Sequence, residues 1–340
     1  MISVSESNGQ DAAWDHFVEQ AEGATFCHLA GWRSIMTGVL GHTCTYLVAT
    51  DESGAWQGVL PLVRVKSPVL GHYLLSMPFL NAGGPLGSTE AQLALVEWAT
   101  AESKRSRPDL LELRSRRAVP GDLAQSQRKI TVHLPLPDNS EALWKAFPGK
   151  LRSQVRRPQK EGYQVKFGLD QRDAFYAVFT RNMRALGTPV LPASLFAKIS
   201  SVFPELVEFG VVYHGAEPIA AGCGFAWQGE FELTWASSLR EYNKFAPNML
   251  LYWSFMQRMI DRSVKVFDFG RCTPNSGTHA FKRQWGGADV SLPWAQWSTR
   301  NVTSTPSPNQ PMFRLAVACW SRLPLSVTNR LGPLIAKRLP

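Results

Sequence analysis

No apolar run in this chain approaches the roughly twenty residues that a membrane-spanning helix requires. Its opening, MISVSESNGQDAAW, also lacks the basic and apolar regions of a signal peptide, so the expected location is the cytoplasm. Cysteine is sparse: Cys27, Cys44, Cys223, Cys272 and Cys319 are scattered, odd in number and never spaced like a zinc knuckle or a redox pair. Neither disulfides nor a metal are therefore expected. Glycine-rich phosphate loops of the GxGxxG or Walker type are missing too. There is no low-complexity tract, and 44% hydrophobic with 19% charged residues describes a chain that folds. Its 340 residues suffice for two domains, each with its own core.

What the chain does have is positive charge. Lys and Arg number 36 against 27 Asp and Glu, a net charge of +9. Such a surplus suits anionic partners, whether nucleic acid, nucleotide sugars, coenzyme phosphates or an acidic membrane face, and equally a basic surface with no specific ligand.

The pattern along the chain is mixed helix and strand. CTYLVATD (44–51) and WQGVLPLVRVK (56–66) are β-rich runs around the turn signal Glu52, Ser53, Gly54, which predicts a hairpin. NAGGPLGS (81–88) is a loop. The next stretch has apolar residues at helical spacing behind a Ser88 or Thr89 cap, and DLLELR (109–114) is a short buried strand. After a polar break at PLPDNS (135–140) the order returns. Helices at 141–157, 172–186 and 193–202 precede three strands, a loop (LREYNKFAPN), a helix and the closing strand VKVFDFG (264–270). DLLELR and KVFDFG thus hold equivalent places, and two copies of one αβ module account for the pattern. The predicted domains are 1–137, 138–297 with the active site, and a tail of 298–340. That tail opens with the Ser, Thr and Pro-rich STRNVTSTPSPNQP and becomes apolar and basic with few acids, fit to lie on a membrane surface or to pack on the first domain, the latter being the expectation.

The stretch FDFGRCTPNSGTHAFKRQWGG (267–287) ends a strand at Gly270 and delivers Arg271, Cys272, Thr273 and Ser276 to the carboxyl end of a sheet, where open α/β sheets bind ligands. Lys282, between Phe281 and Trp285, has the chemistry to stabilise an oxyanion or a phosphate. The opposing expectation is that Phe281 and Trp285 anchor a core while Lys282 and Arg283 are merely solvated. Asp268, inside a buried strand, is a candidate general base or a hydrogen-bonded structural acid. KLRSQVRRPQKEGYQVK (150–166) puts Arg152 and Arg156 on one helix face at a spacing that grips phosphate oxygens, with Pro158 expected to end or kink the helix. Arg184, just before the Gly187 stop, is placed to reach a ligand or to complement the helix dipole. His279 reads better as a loop residue than as a base, and no spacing makes a triad of it with Cys272.

Taken together, these segments, with LRSQVRRPQKEGYQVKFG, FYAVFTRNMRALGTP, WASSLREYN, NMLLYW, SMPFLNAGGP and LELR, resemble the Fem-like proteins encoded with exosortase/PEP-CTERM exopolysaccharide systems. Those proteins are similar to the FemA/FemB peptidyltransferases and fall within the GNAT acyltransferase superfamily; the resemblance runs over nearly the whole chain. It implies tandem GNAT-like domains and attack by an amine or hydroxyl of a saccharide or lipid-linked precursor on an acyl ester or thioester, without metal, bound cofactor or covalent enzyme intermediate. The donor is aminoacyl-tRNA or acyl-CoA. The family's FK pair falls on Phe281 and Lys282, its phosphate-gripping arginine on Arg184, and a strand aromatic near the acceptor on Trp235; Tyr252, within NMLLYW, and Arg271 join the substrate-contacting set. The implied setting is cell-envelope or exopolysaccharide synthesis at the cytoplasmic side, with peripheral contact to the inner membrane face and no DNA. Two other readings are an acetyl-CoA-dependent polysaccharide N- or O-acetyltransferase and a non-catalytic docking module. Three residues depart from the family pattern: Cys272 stands for a serine, His279 for a tyrosine and Pro158 for an alanine. The Q/R-x-x-G-x-G/A turn that holds coenzyme A pyrophosphate is missing, with SLREYNKFAPN in its place.

Overall fold

The computed structural model describes residues 1–68, 70–298, 302 and 313–339. The fold is mixed α/β and divides into two compact units: Met1–Ile130 with Ser291–Ser307 and Lys337–Pro340, and Thr131–Val290 with Pro308–Ala336.

In the first unit β1 (Ser3–Glu6), β2 (Thr43–Thr50), β3 (Trp56–Ser67) and β4 (Gly71–Leu75) form an antiparallel series, and the helices α1 (Asp11–Gln20) and α2 (Gly31–Gly38) lie between β1 and β2 in the chain. The predicted hairpin is present. Asp51 Oδ1 accepts from the N–H groups of Ser53 and Ala55 (2.9 and 3.1 Å), and Gly54 takes the positive φ (84°) that closes the turn. The two-residue strand β5 (Leu86–Gly87) pairs with β3 and leads into α3 (Thr89–Ser106), capped as expected by Ser88, whose Oγ accepts from Ala91 N at 3.3 Å. Ala91, Leu95, Val96 and Ala99 form the buried stripe of α3 over Leu47, Leu60, Leu74 and Leu111. The chain then enters β6 (Leu110–Leu113), which runs parallel to β4 over Tyr73↔Leu110, Leu74↔Leu111 and Leu75↔Glu112.

β7 (Ala124–Pro135) carries the chain into the second unit. Helical signal over 141–157 resolves into two helices, α4 (Ser140–Ala146) and α5 (Gly149–Lys160), because Pro148 stands between them. Pro158 does not end α5. It sits buried in the last turn, and the helix runs two residues past it. After β8 (Gln164–Phe167), α6 (Arg172–Ala185) and α7 (Ala193–Val202) come β9 (Val207–His214), β10 (Glu217–Trp227), β11 (Glu230–Ser238), α8 (Pro247–Asp261) and β12 (Val266–Asp268). The strand order across this unit is β7, β12, β11, β10, β9, β8. α6 and α8 cover opposite faces: Phe209 of β9 packs on Phe175 of α6, whereas a Cβ on the next residue, Gly210, would meet Phe255 of α8. α8 is buried nearly all round, as its apolar sequence demands, between the sheet and α5.

β12 is parallel to β11, as β6 is to β4, and each pair spans three rungs with a helix between its strands. This is the repeat read from DLLELR and KVFDFG. Beyond it, a short α9 (Gly277–Arg283) leads to β13 (Ala288–Trp297), whose outer residues pair with β6 of the first unit (Ala295↔Leu113). Most of the expected linker STRNVTSTPSPNQP lies outside the described residues. The tail forms α10 (Arg314–Trp320) and α11 (Leu325–Ala336), and here the expectation of packing on the first domain is corrected: α11 lies on α6 in the second unit. Small residues allow it, since a Cβ on Gly332 would come within 3.0 Å of Val190, and Arg184 Nε donates to the Leu323 carbonyl at 2.5 Å.

Candidate active site

Pairing between β11 and β12 stops after Glu232↔Asp268, yet β11 continues to Ser238 while the other strand turns away at Gly270, whose φ is 71°. Two parallel strands that part company leave the edge of β11 without β12 as a partner beyond Glu232. β11 is also bulged there. Phe225 faces Glu232 and Cys223 faces Trp235, so Leu233 and Thr234 together oppose Gly224. A Cβ on Gly224 would collide with the Phe231 ring and come within 2.5 Å of the Glu232 carbonyl, so glycine is required for the bulge to close.

Cross-strand register puts Glu232, Asp268 and His133 side by side on one face of three adjacent strands. Asp268 is buried and held by three donors. Oδ1 accepts from the Thr131 hydroxyl and from Gly270 N (2.7 Å), and His133 Nε2–H donates to Oδ2 at 3.2 Å. A carboxylate fixed in this way can orient His133, which is partly open to solvent (22% exposed). His133, Glu230 and Asp268 also form the group of described residues whose ligand atoms lie close enough together, within 4.8 Å, to suit a cation. With Asp268 already engaged by Thr131, Gly270 and His133 and an ammonium nearby, the arrangement is better suited to handling a proton.

That ammonium is Lys282. Ser276 caps α9 by accepting from His279 N at 3.2 Å, and the helix turns Lys282 inward to 7% exposure. Its Nζ donates to the carbonyls of Gly270 (2.5 Å) and Arg271 (2.9 Å), two of its three N–H bonds. The expectation of a solvated lysine is therefore wrong. Burial lowers its pKa below the ordinary lysine value, a fall opposed by Cys272, Asp268 and Glu232. Phe281 packs edge-on against Tyr252 (5.0 Å between centroids), which stacks on Phe269 (5.7 Å). Burial, with Cys272 close by, raises the Tyr252 phenol well above its ordinary value, so it is a protonated group.

Asp268, Arg271, Tyr252, Phe281 and Lys282 are thus brought together around the end of β12. The remaining candidates are not. Arg184 spends its Nε on the Leu323 carbonyl and fastens the tail. Trp235 shares the face of β11 that carries Glu232, but its ring is engaged with Phe196 of α7 and with Phe225 (5.3 and 6.2 Å). Arg152 and Arg156 sit on α5, the latter over the Trp144 ring at 5.2 Å. His279 lies in the first turn of α9, not in a loop as expected; it accepts from Asn275 N at 3.0 Å and reaches Asp289 at 2.9 Å. Sequence reading missed His133, Thr131 and Glu232. The signal for the first two lay in ITVHLP, where polar residues alternate with apolar ones, as on a strand with one polar face.

The equivalent opening in the first unit is filled. Arg114, almost wholly buried, donates to Glu112 Oε1 (2.9 Å), Met77 O (3.4 Å) and Leu80 O (3.3 Å), and stacks over Trp294 at 4.8 Å. A guanidinium with those partners ties down the chain where the strands would part.

Residues 147–283 match the family described as the acetyltransferase (GNAT) domain. No curated protein sequence matches the chain. Among solved structures, FemX is similar at 15% identity, covering 92% of this chain and 100% of FemX, with a TM-score of 0.64. A tandem GNAT protein from the clavulanic acid biosynthesis pathway is similar at 12% identity over 87% of this chain and 98% of its own, with a TM-score of 0.51. The structure of L-PGS from Bacillus licheniformis matches at 13% identity over 94% of this chain and 99% of its own, with a TM-score of 0.52. GNAT enzymes take their acyl group from acyl-CoA or aminoacyl-tRNA and need no bound cofactor. Residues 147–283 are thus similar to the GNAT acetyltransferase domain, and the chain shares its fold with FemX and with a tandem GNAT protein.

Proposed function

We propose that this protein transfers an acyl or aminoacyl group to an amine or hydroxyl of a saccharide or lipid-linked precursor in exopolysaccharide or cell-envelope assembly. The observation that carries the reading is the opening between β11 and β12 with a buried ammonium fastened at its end. An extended donor would pair with the free edge of β11 beyond Glu232 and present its carbonyl near Gly270. The acceptor attacks that carbonyl; the third N–H of Lys282 and nearby backbone N–H groups offset the charge on the tetrahedral oxygen, and the acceptor's proton passes to His133, oriented by Asp268. The intermediate then collapses with loss of the thiolate, or of the tRNA oxygen, which takes the proton back from His133 and departs as the hydroxyl.

The α8 entrance favours aminoacyl-tRNA over acyl-CoA. In the Arg240–Phe245 turn before that helix, Tyr242 N donates to Leu239 O and Ala246 N to Asn243 O; Met249 N donates to Ala246 O, and Pro247 has no N–H. These donors are engaged within the turn and are not available to cradle a pyrophosphate.

Lys282→Met, assayed against charged tRNA and acetyl-CoA with amino-sugar and lipid-linked acceptors, is expected to lower turnover about 100-fold or more while donor binding persists. Unchanged turnover would remove Lys282 from the chemistry. Because the substitution also breaks two bonds to the loop, a thermal melt of the variant must accompany the assay, and His133→Gln, which leaves the loop intact, is expected to reduce turnover as well.

A further inference from the structure

The helix α11 is built inside out. Its buried residues are the small Thr328, Gly332 and Ala336, which face the body of the second unit, whereas the large apolar Leu331, Leu334 and Ile335 are 42%, 55% and 39% exposed. With half-buried Val327 these occupy positions i, i+4, i+7 and i+8, one continuous stripe of the helix. Leu315 of α10, at 77%, and Leu186, just past α6, at 49%, are further exposed leucines of this unit. Large apolar side chains left outward in a row mark a surface that meets something apolar.

Charge identifies the partner. No Asp or Glu follows Asp289, and Arg314, Arg322 and Arg330 are exposed on the tail helices and the turn between them. Leucines at a helix surface flanked by arginines with no acidic residue suit a layer that is apolar inside and anionic outside. At 12 residues α11 is too short to span a bilayer, and no helix among the described residues is long and apolar enough to do so. We infer that the exposed stripe of α11 lies in the interface of an anionic phospholipid bilayer, with Val327, Leu331, Leu334 and Ile335 entering the acyl boundary and the arginines meeting the head groups. This docking surface is separate from the opening at β12 and does not rest on the acyl-transfer reading.

Flotation with vesicles of phosphatidylcholine alone and of phosphatidylcholine mixed with phosphatidylglycerol tests it. The protein is expected to float with the anionic vesicles and to be released by salt. Leu334→Glu should weaken binding about tenfold or more, and Arg330→Gln about fivefold. Leu334 and Arg330 are exposed, so both variants should melt like the parent and retain activity on a soluble acceptor. Absence of flotation, equal binding of the variants, or a solution dimer that Leu334→Glu converts to monomer would overturn the inference, the last by showing that a second copy covers the stripe.

Discussion

In the proposed site, Lys282 joins loop architecture to chemistry. Its two bonds to the Gly270 and Arg271 carbonyls fix where the charge sits, and burial lowers its pKa. An ammonium required for turnover should then be lost at a pH below the ordinary lysine value of 10.5, so the alkaline limb of a kcat profile is expected below that value. A limb at or above it would argue against a role for the charge. A second buried base carries a stability prediction. His28 Nδ1 accepts from Thr25 N at 3.0 Å while Nε2–H donates to Gly84 O at 3.2 Å, and burial lowers the ring's pKa from 6.5 to about 4. Since the unfolded chain takes up this proton first, stability is full above pH 6.5 and falls as pH drops from there to about 4. The whole fall amounts to about 3 kcal/mol at ~1.4 kcal/mol per unit. Urea unfolding across that range should show it, and His28→Gln should flatten the slope; an unchanged slope would contradict the assignment. Lys282 and Phe281 were legible because a predicted strand ending in Gly270, a run of small polar residues and the aromatic Trp285 lie within a few positions of them. His133 was not, because it meets Asp268 only through strand pairing across 135 positions of chain.

At the scale of elements, the β11 bulge sets where the parallel pair opens. Gly224→Ala is expected to destabilise the protein by about 1–3 kcal/mol and to impair transfer, because the added methyl meets both the Phe231 ring and the Glu232 backbone, which cannot swing away as a flexible side chain would. Denaturant unfolding and a turnover assay check both effects; a variant with wild-type stability would mean that the bulge tolerates a side chain. The hairpin at Asp51, the α3 cap at Ser88 and the paired DLLELR and VKVFDFG strands were readable from local turn chemistry and periodicity. β7 was not, its first half being polar, and α9 was hidden by turn-forming residues at its start. The inverted burial of α11 was also beyond reach, because periodicity locates a stripe without saying which side of it faces the core.

For the whole molecule, the twofold repetition is structural while the proposed chemistry is one-sided. In each unit a parallel strand pair spans three rungs, but Arg114 fills the opening in the first, whereas in the second the opening is bordered by Asp268, His133 and Lys282. The repeated helix-to-strand order, which builds a parallel pair at the end of each copy, was visible in the sequence. The division of β13 between the two units and the placement of the tail on α6 were not, since both depend on contacts distant in sequence. The most direct measurement is a single-turnover experiment with labelled aminoacyl-tRNA or acetyl-CoA bound to wild-type protein and to Lys282→Met in the presence of an amino-sugar acceptor. Equal donor occupancy with transfer about 100-fold slower in the variant is the predicted result. Transfer at the same rate in both proteins, or no transfer from either donor by the wild type, would contradict the account.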